Sequence, residues 1–269
     1  MFRKLVWIFK RHPFLYKTRF KLLSKNASIE EINDCSYNQV NTLNDFPEYF
    51  FEVNAKIFKD YKPTSDLDLV KQLSLWFEQN IKGGPGLSEP SEKALKIMLE
   101  GKGGVCSDLT QIFNNFCVIN EVEVREWGVT RAPFENDFGG HSFNEVFCKQ
   151  LGKWVLIDVS YGILFYHDSE LPLSVVELYK LVRQDIKVNF KSFHEVRRFN
   201  ASVITNNFLD KRNVPFLICN YSNKVYDSFL NIFKMFAPVF VIHFLVYLFG
   251  KSYHYKFALD DYRAIFVRT

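Results

Sequence analysis

The sequence predicts an α+β fold, and three stretches carry that prediction: a loop that becomes a helix at Cys106, an alternating segment that opens at His141, and a short strand that ends at Asp158. Gly101-Lys-Gly-Gly-Val105 reads as loop. The ten residues after Cys106 place apolar side chains at 109, 112, 113 and 116, the spacing of one helical face. Phe143-Asn-Glu-Val-Phe-Cys148 alternates as a strand does, Lys153-Trp-Val-Leu-Ile-Asp158 is a second strand, and Leu151-Gly152 between them reads as a hairpin turn. Antiparallel pairing of the two strands brings residues 17 apart side by side, so His141 and Asp158 have a geometric reason to meet.

The remaining elements follow in chain order. Residues 1–25 hold eight Lys/Arg and no acid, interleaved with aromatic residues; the expectation is either a helix packing its aromatic face on the body or an arm lying on an anionic membrane surface. The apolar run Leu5 to Phe9 is too short for a secretory leader, so secretion is not expected. Residues 28–62 read as mixed helix and loop, with Ser28-Ile-Glu-Glu31 as a capping box. Asp66 to Lys82 has Leu69, Val70, Leu73, Trp76, Phe77 and Ile81 at helical spacing, ended by Gly83-Gly-Pro-Gly86. Trp76 sits on that stripe and is assigned to the core. Glu89 to Glu100 is a short helix and 174–187 another; Phe216-Leu-Ile-Cys219 reads as strand, and Tyr262 to Arg268 as a strand returning to the body.

Between Met235 and Phe249 lie 15 residues with no formal charge, extending back to 21 residues if Phe229 is included. A membrane span takes about 20 apolar residues and 10–14 favour a buried or re-entrant segment. A core helix, interfacial insertion and a span are therefore all open, with Pro238 starting or kinking the helix.

Composition narrows the function classes. The whole chain carries a net charge of +4, but beyond residue 25 acids outnumber bases, which argues against a nucleic-acid-binding body. The cysteines at 35, 106, 117, 148 and 219 form an odd set with no C-x-x-C pair, which points to a reducing, cytoplasmic compartment and to no zinc knuckle. No calcium-loop motif is present, and neither a metal nor an organic cofactor is expected.

Cys106, His141 and Asp158 together supply a thiol, a base and a carboxylate to orient the base. A helix N-terminus favours the thiolate, an imidazole takes the thiol proton, and a carboxylate fixes the imidazole's tautomer. Asp108, two residues into the helix, is assigned to backbone N–H groups, and Glu145 to a structural ion pair. His167, His194, His243 and His254 have no such context.

The matching residues Gly104, Cys106 and Asp108, then Gly140, His141, Phe143 and Glu145, then Trp154 and Asp158, resemble the transglutaminase-like superfamily in order and spacing, with Arg125 and Trp127 fitting the strand between. The resemblance runs from about Leu67 to Tyr166; Phe143 stands where many members carry Trp. It implies a transglutaminase-like, papain-like core in which the Cys106 helix packs on an antiparallel sheet carrying His141 and Asp158. It also implies a catalytic triad and acyl transfer through a thioester on an amide or peptide bond. In bacterial-type members with a minimal core, hydrolysis is favoured over crosslinking. The partners so implied are a protein or peptide substrate and an amine acceptor; a membrane surface is expected to meet residues 1–25 and 229–249 at the inner face. The organisation expected is an arm and helical extension over 1–60, a core over 61–190, and a C-terminal extension over 191–269 with a hydrophobic helix at 229–249. Two competing readings are a non-catalytic scaffold module and a peptide N-glycanase sharing the triad.

Overall fold

A computed structural model describes residues 13–135, 137–194 and 200–267. The first 12 residues of the basic arm lie outside it. The rest of the arm is helix α1 (Pro13–Leu23), which buries Phe20 and Leu23. Phe20 meets Phe216 edge-on at 5.1 Å and stacks on Tyr255 at 4.6 Å, so this part packs an aromatic face on the body.

Strand β1 (Ser24–Asn26) and helix α2 (Ile29–Asn33) follow, the latter with the reciprocal Ser28–Glu31 capping box. Helices α3 (Glu48–Ile57), α4 (Asp66–Asn80) and α5 (Ser91–Leu99) come next. Helix α6 (Cys106–Ile119) then leads into β2 (Val124–Arg131), β3 (His141–Cys148) and β4 (Lys153–Ile157). The turn between β3 and β4 spans Lys149–Gly152, four residues rather than a tight two-residue hairpin, because Cys148 pairs with Lys153. The outer strands β5 (Ile163–Tyr166) and β6 (Asn189–Ser192) form a separate ribbon flanking α7 (Val175–Arg183). A short helix, α8 (Ala201–Ile204), runs into a wide turn over Thr205–Leu209.

The C-terminal third returns to the sheet through β7 (Asn213–Cys219) and β8 (His254–Phe257). The six-stranded order is β1-β8-β7-β2-β3-β4, antiparallel except for the parallel β1–β8 pair. The return is made by 254–257 and not by 262–266, which form a 3₁₀ turn after Asp261 caps it. The apolar stretch 229–249 is two helices, not one: α9 (Asn223–Phe233) and α10 (Val239–Leu248). Pro238 stands at the N-cap of α10, where its missing N–H costs nothing and its ring blocks continuation from α9. Among the described residues no helix is long and apolar enough to cross a membrane.

The sheet separates two cores. On one side α6 buries Ile112, Phe113 and Phe116 against α3, α4 and α5, with Phe77 5.7 Å from Phe116. On the other, α7 and the 205–209 turn cover Trp127, Phe143 and Phe165, with Phe208 5.0 Å from Phe143 and 4.8 Å from Phe165. Trp76 packs at the margin of the first core. Alternation along β2 sends Val124 to one core and Trp127 to the other, the period-two rule of a strand covered on both faces.

Candidate active site

Cys106 is the first residue of α6. Asp108 pins this end of the helix: its Oδ2 accepts the Val105 N–H at 3.0 Å and the Leu87 N–H at 3.1 Å, so it caps the helix and ties down the preceding loop. Gly104 adopts φ +111°, and a Cβ there would press on Met98 at 3.0 Å; only glycine lets the chain swing into the helix with Cys106 leading. Gly140 plays the matching part before His141, at φ +73° with the Val129 carbonyl 3.0 Å from where a Cβ would stand.

His141 opens β3. The strand is fastened to the cysteine helix by Asn144, whose Nδ2 donates to the Thr110 carbonyl at 3.1 Å and to Asn114 Oδ1 at 2.8 Å. Asp158 follows β4 and is fully buried. Its Oδ1 accepts the N–H groups of Ser160 and Tyr161 at 2.8 and 3.2 Å, while Oδ2 lies 2.8 Å from His141 Nε2. Asn144 pairs with Ile157 across the hairpin, so His141 and Asp158 are diagonal rather than directly opposed. The contact leaves Nδ1 of His141 for the Cys106 thiol, and the two side chains line one cavity. The structure thus brings together all three residues singled out from sequence.

The charges reinforce one another. Burial works against a charged His141, but the carboxylate of Asp158 and the Cys106 sulfur outweigh it, and the imidazole is pushed up to about 10. Burial also opposes a Cys106 thiolate, yet the hydrogen bond and charge of His141 hold the thiol below its ordinary value.

Glu145 is the structural partner expected of it. It is fully buried, accepts from Arg125 Nε at 2.7 Å and Trp127 Nε1 at 2.8 Å through Oε2, and from the Val175 N–H at 2.8 Å through Oε1. Its work is to join β2, β3 and α7. His167 contacts Asp168 and the Lys187 carbonyl, His194 contacts Glu78 and Ser74, and His254 lies on β8.

Two features were not read from sequence. The first is Glu126, buried in β2 behind Cys106. Thr110 Oγ1 lies 3.0 Å from the Ser107 carbonyl and 3.2 Å from Glu126 Oε1, and one hydroxyl hydrogen serves only one of them. With Ser107 taking it, a protonated Glu126 donates back to Thr110. Burial drives this carboxyl up to about 8, and the nearby Cys106 and Asp108 push the same way, so it is largely neutral at pH 7. The one acid in β2, a strand whose residues are all buried, was the available signal.

The second is a cavity of about 630 Å³ that opens beside Cys106 and His141. Its far wall comes from the C-terminal third, where Tyr221 and Tyr226 stack 4.5 Å apart, and from α1, where Arg19 donates to the Tyr253 hydroxyl at 2.5 Å. His243 of α10 also lines it. Asp227 on this wall accepts the Ser91 N–H at 2.7 Å and an Asn223 amide hydrogen at 3.0 Å, with burial raising its carboxyl above the ordinary range. Among the described residues no cluster of three or more His, Cys, Asp or Glu is arranged to hold a metal ion.

No protein-family model matches the chain, and no curated protein does. Among solved structures it is similar to a candidate cysteine protease from Cytophaga hutchinsonii, with a TM-score of 0.32 and 17% identity, over 43% of this chain and 40% of that one. The chain therefore matches less than half the length of that protein.

Proposed function

We propose that the protein is a cysteine-dependent acyl-transfer enzyme acting on an amide or peptide bond, with water favoured over an amine as acceptor. The observation that carries this reading is the contact of a helix-leading Cys106 with His141, itself held by Asp158, at the mouth of a cavity large enough for a peptide side chain and its flanking backbone. Cys106 Sγ attacks the carbonyl carbon. The S–C bond forms as the C–N bond breaks, and the proton held on His141 passes to the departing amine. Water then attacks the thioester, His141 takes its proton, and the thiolate leaves. Asp158 keeps Nε2 protonated so that Nδ1 does the exchanging. The Cys106 backbone N–H, in the first turn of α6 and without a carbonyl four residues back inside the helix, is the oxyanion donor in this scheme. The steps call for no metal or organic cofactor.

The setting proposed is the cytoplasmic face of a membrane. Met235 and Phe236 are exposed at the α9–α10 break and Leu248 and Phe249 at the far end of α10, between Lys234 and Lys251, which suits peripheral contact with anionic lipid.

The decisive experiment is the pH–rate profile of Cys106 alkylation by iodoacetamide, in the wild type and in His141→Ala. Acyl-transfer chemistry requires a thiol that reacts at mildly acidic pH and loses that reactivity in the variant. Ordinary alkylation with a pKa near 8.5 in both proteins would sink the enzyme reading and leave a scaffold module. With the first result in hand, glutamine-containing peptides with and without an amine acceptor separate hydrolysis from crosslinking.

A further inference from the structure

A second thiol cluster lies away from the cavity mouth, where α2, β7 and β8 meet. Cys35 follows α2 and is half-buried; its Sγ is 3.1 Å from Lys256 Nζ on β8 and 3.2 Å from the Glu31 carbonyl. Lys256 Nζ also donates to that carbonyl at 3.2 Å, which holds the ammonium against the sulfur. Cys219, the buried last residue of β7, lies on the same recess as Cys35. Both cysteines line one small recess with Arg125, Gln39 and Asn220.

We propose that Cys35 and Cys219 form a reversible dithiol that reacts with hydroperoxides, Cys35 as the attacking sulfur and Cys219 as the resolving one. Two adjacent cysteines, one solvent-accessible beside an ammonium and one buried behind it, are what such chemistry needs. The electrostatics agree with the geometry. The hydrogen bond from Cys219 draws the Cys35 thiol below its ordinary range against the cost of burial, and Lys256 and Arg125 add to it. Cys219 is pushed the other way, first by that same hydrogen bond and then by burial. Of the pair, Cys35 is therefore the more acidic thiol and Cys219 the less acidic.

In the first step the Cys35 thiolate attacks one peroxide oxygen. An S–O bond forms, the O–O bond breaks, and the departing alkoxide or hydroxide takes a proton from Lys256 or solvent; sulfur loses two electrons and the peroxide gains them. In the second, Cys219 sulfur attacks Cys35 sulfur of the sulfenic acid. The S–S bond forms, the S–O bond breaks, and hydroxide leaves as water with the Cys219 proton. A small-molecule dithiol returns both cysteines to thiols and is itself oxidised to the disulfide. None of this involves Cys106.

The test uses the full chain carrying Cys106→Ala, so that only the other four thiols report. The folded protein, checked by circular dichroism, is treated with equimolar hydrogen peroxide at pH 7 and mapped by non-reducing peptide mass spectrometry. A Cys35–Cys219 cross-link that dithiothreitol removes is the expected result. With Cys219→Ser added, Cys35 instead accumulates a dimedone adduct. Lys256→Met slows that labelling by about fivefold or more, following the smaller thiolate fraction, and Lys256→Arg restores it. Absence of the cross-link in folded protein, or a Cys35 no more reactive than the buried Cys117 and Cys148, would overturn the proposal.

Discussion

Asp158 Oδ2 lies 2.8 Å from His141 Nε2, inside the protein, with the other carboxylate oxygen taken by two backbone N–H groups. The carboxylate cannot swing away without stranding those amides, so the imidazole is held at one angle and in one tautomer.

This pair makes stability pH-dependent. His141 titrates near 6.5 when unfolded and at about 10 when folded, so its contribution is complete below about pH 6.5 and is lost as the pH climbs towards 10. Asp158→Asn removes the cause. The melting temperature of the wild type is expected to fall more steeply between pH 6.5 and 10 than that of the variant. Parallel curves by circular dichroism would contradict the assignment.

Glu126 is a group that folding protonates. Its folded value of about 8 exceeds the unfolded 4.5, so stability drops as the pH rises through that window and the cost is complete above about 8. Glu126→Gln keeps a donor towards Thr110 and an acceptor for Asn114. It is expected to stabilise by roughly 3 kcal/mol at pH 7, about 5 °C or more in melting temperature, with the gain vanishing near pH 4. A loss of stability at pH 8 would mean that Glu126 is ionised in the fold.

Glu145→Ala strands the Arg125 guanidinium, which is buried with it. The expected loss is about 3–5 kcal/mol, the cost of an uncompensated buried charge, read as a lower urea midpoint. Glu145→Gln keeps one acceptor oxygen for Arg125 and Trp127 but turns an amide NH2 towards the Val175 N–H, and loses less than the alanine variant. A change under about 1 kcal/mol for the alanine variant, below the usual cost of a stranded buried charge, would show that Arg125 finds another partner.

Peripheral membrane contact predicts co-sedimentation with phosphatidylserine vesicles and little with phosphatidylcholine alone. Phe236, 81% exposed, and Phe249, 66% exposed, carry the apolar part. Changing both to Asp should lower binding by about fivefold or more; unchanged binding would assign the surface elsewhere.

Helical spacing after Cys106, alternation after His141 and the glycines before each were legible because they are local: backbone sterics and period decide them without reference to distant residues. The capping box at Ser28 and the helix beginning at Asp66 belong to the same class. The break at Pro238 was half legible, since the residue announces a discontinuity but not whether a helix starts or bends there.

Glu126 marks the boundary between the two kinds of information. A glutamate in a strand pattern has no assigned state until burial and its neighbours are known, because ionisation depends on the solvent excluded around it. The cavity wall is further still from local reading. Arg19, Tyr221, Tyr226 and Tyr253 come from opposite ends of the chain and meet only because β8 inserts between β1 and β7. The lysine beside Cys35 arrives from residue 256 by the same route.

By itself, the sequence determined which residues lead the cysteine helix and the two strands, since helix spacing, strand alternation and glycine conformations are properties of a few neighbouring residues. Only the tertiary structure decided what surrounds those three side chains, because strand order and burial join segments more than a hundred residues apart and set the solvent, and hence the charge, that each group experiences.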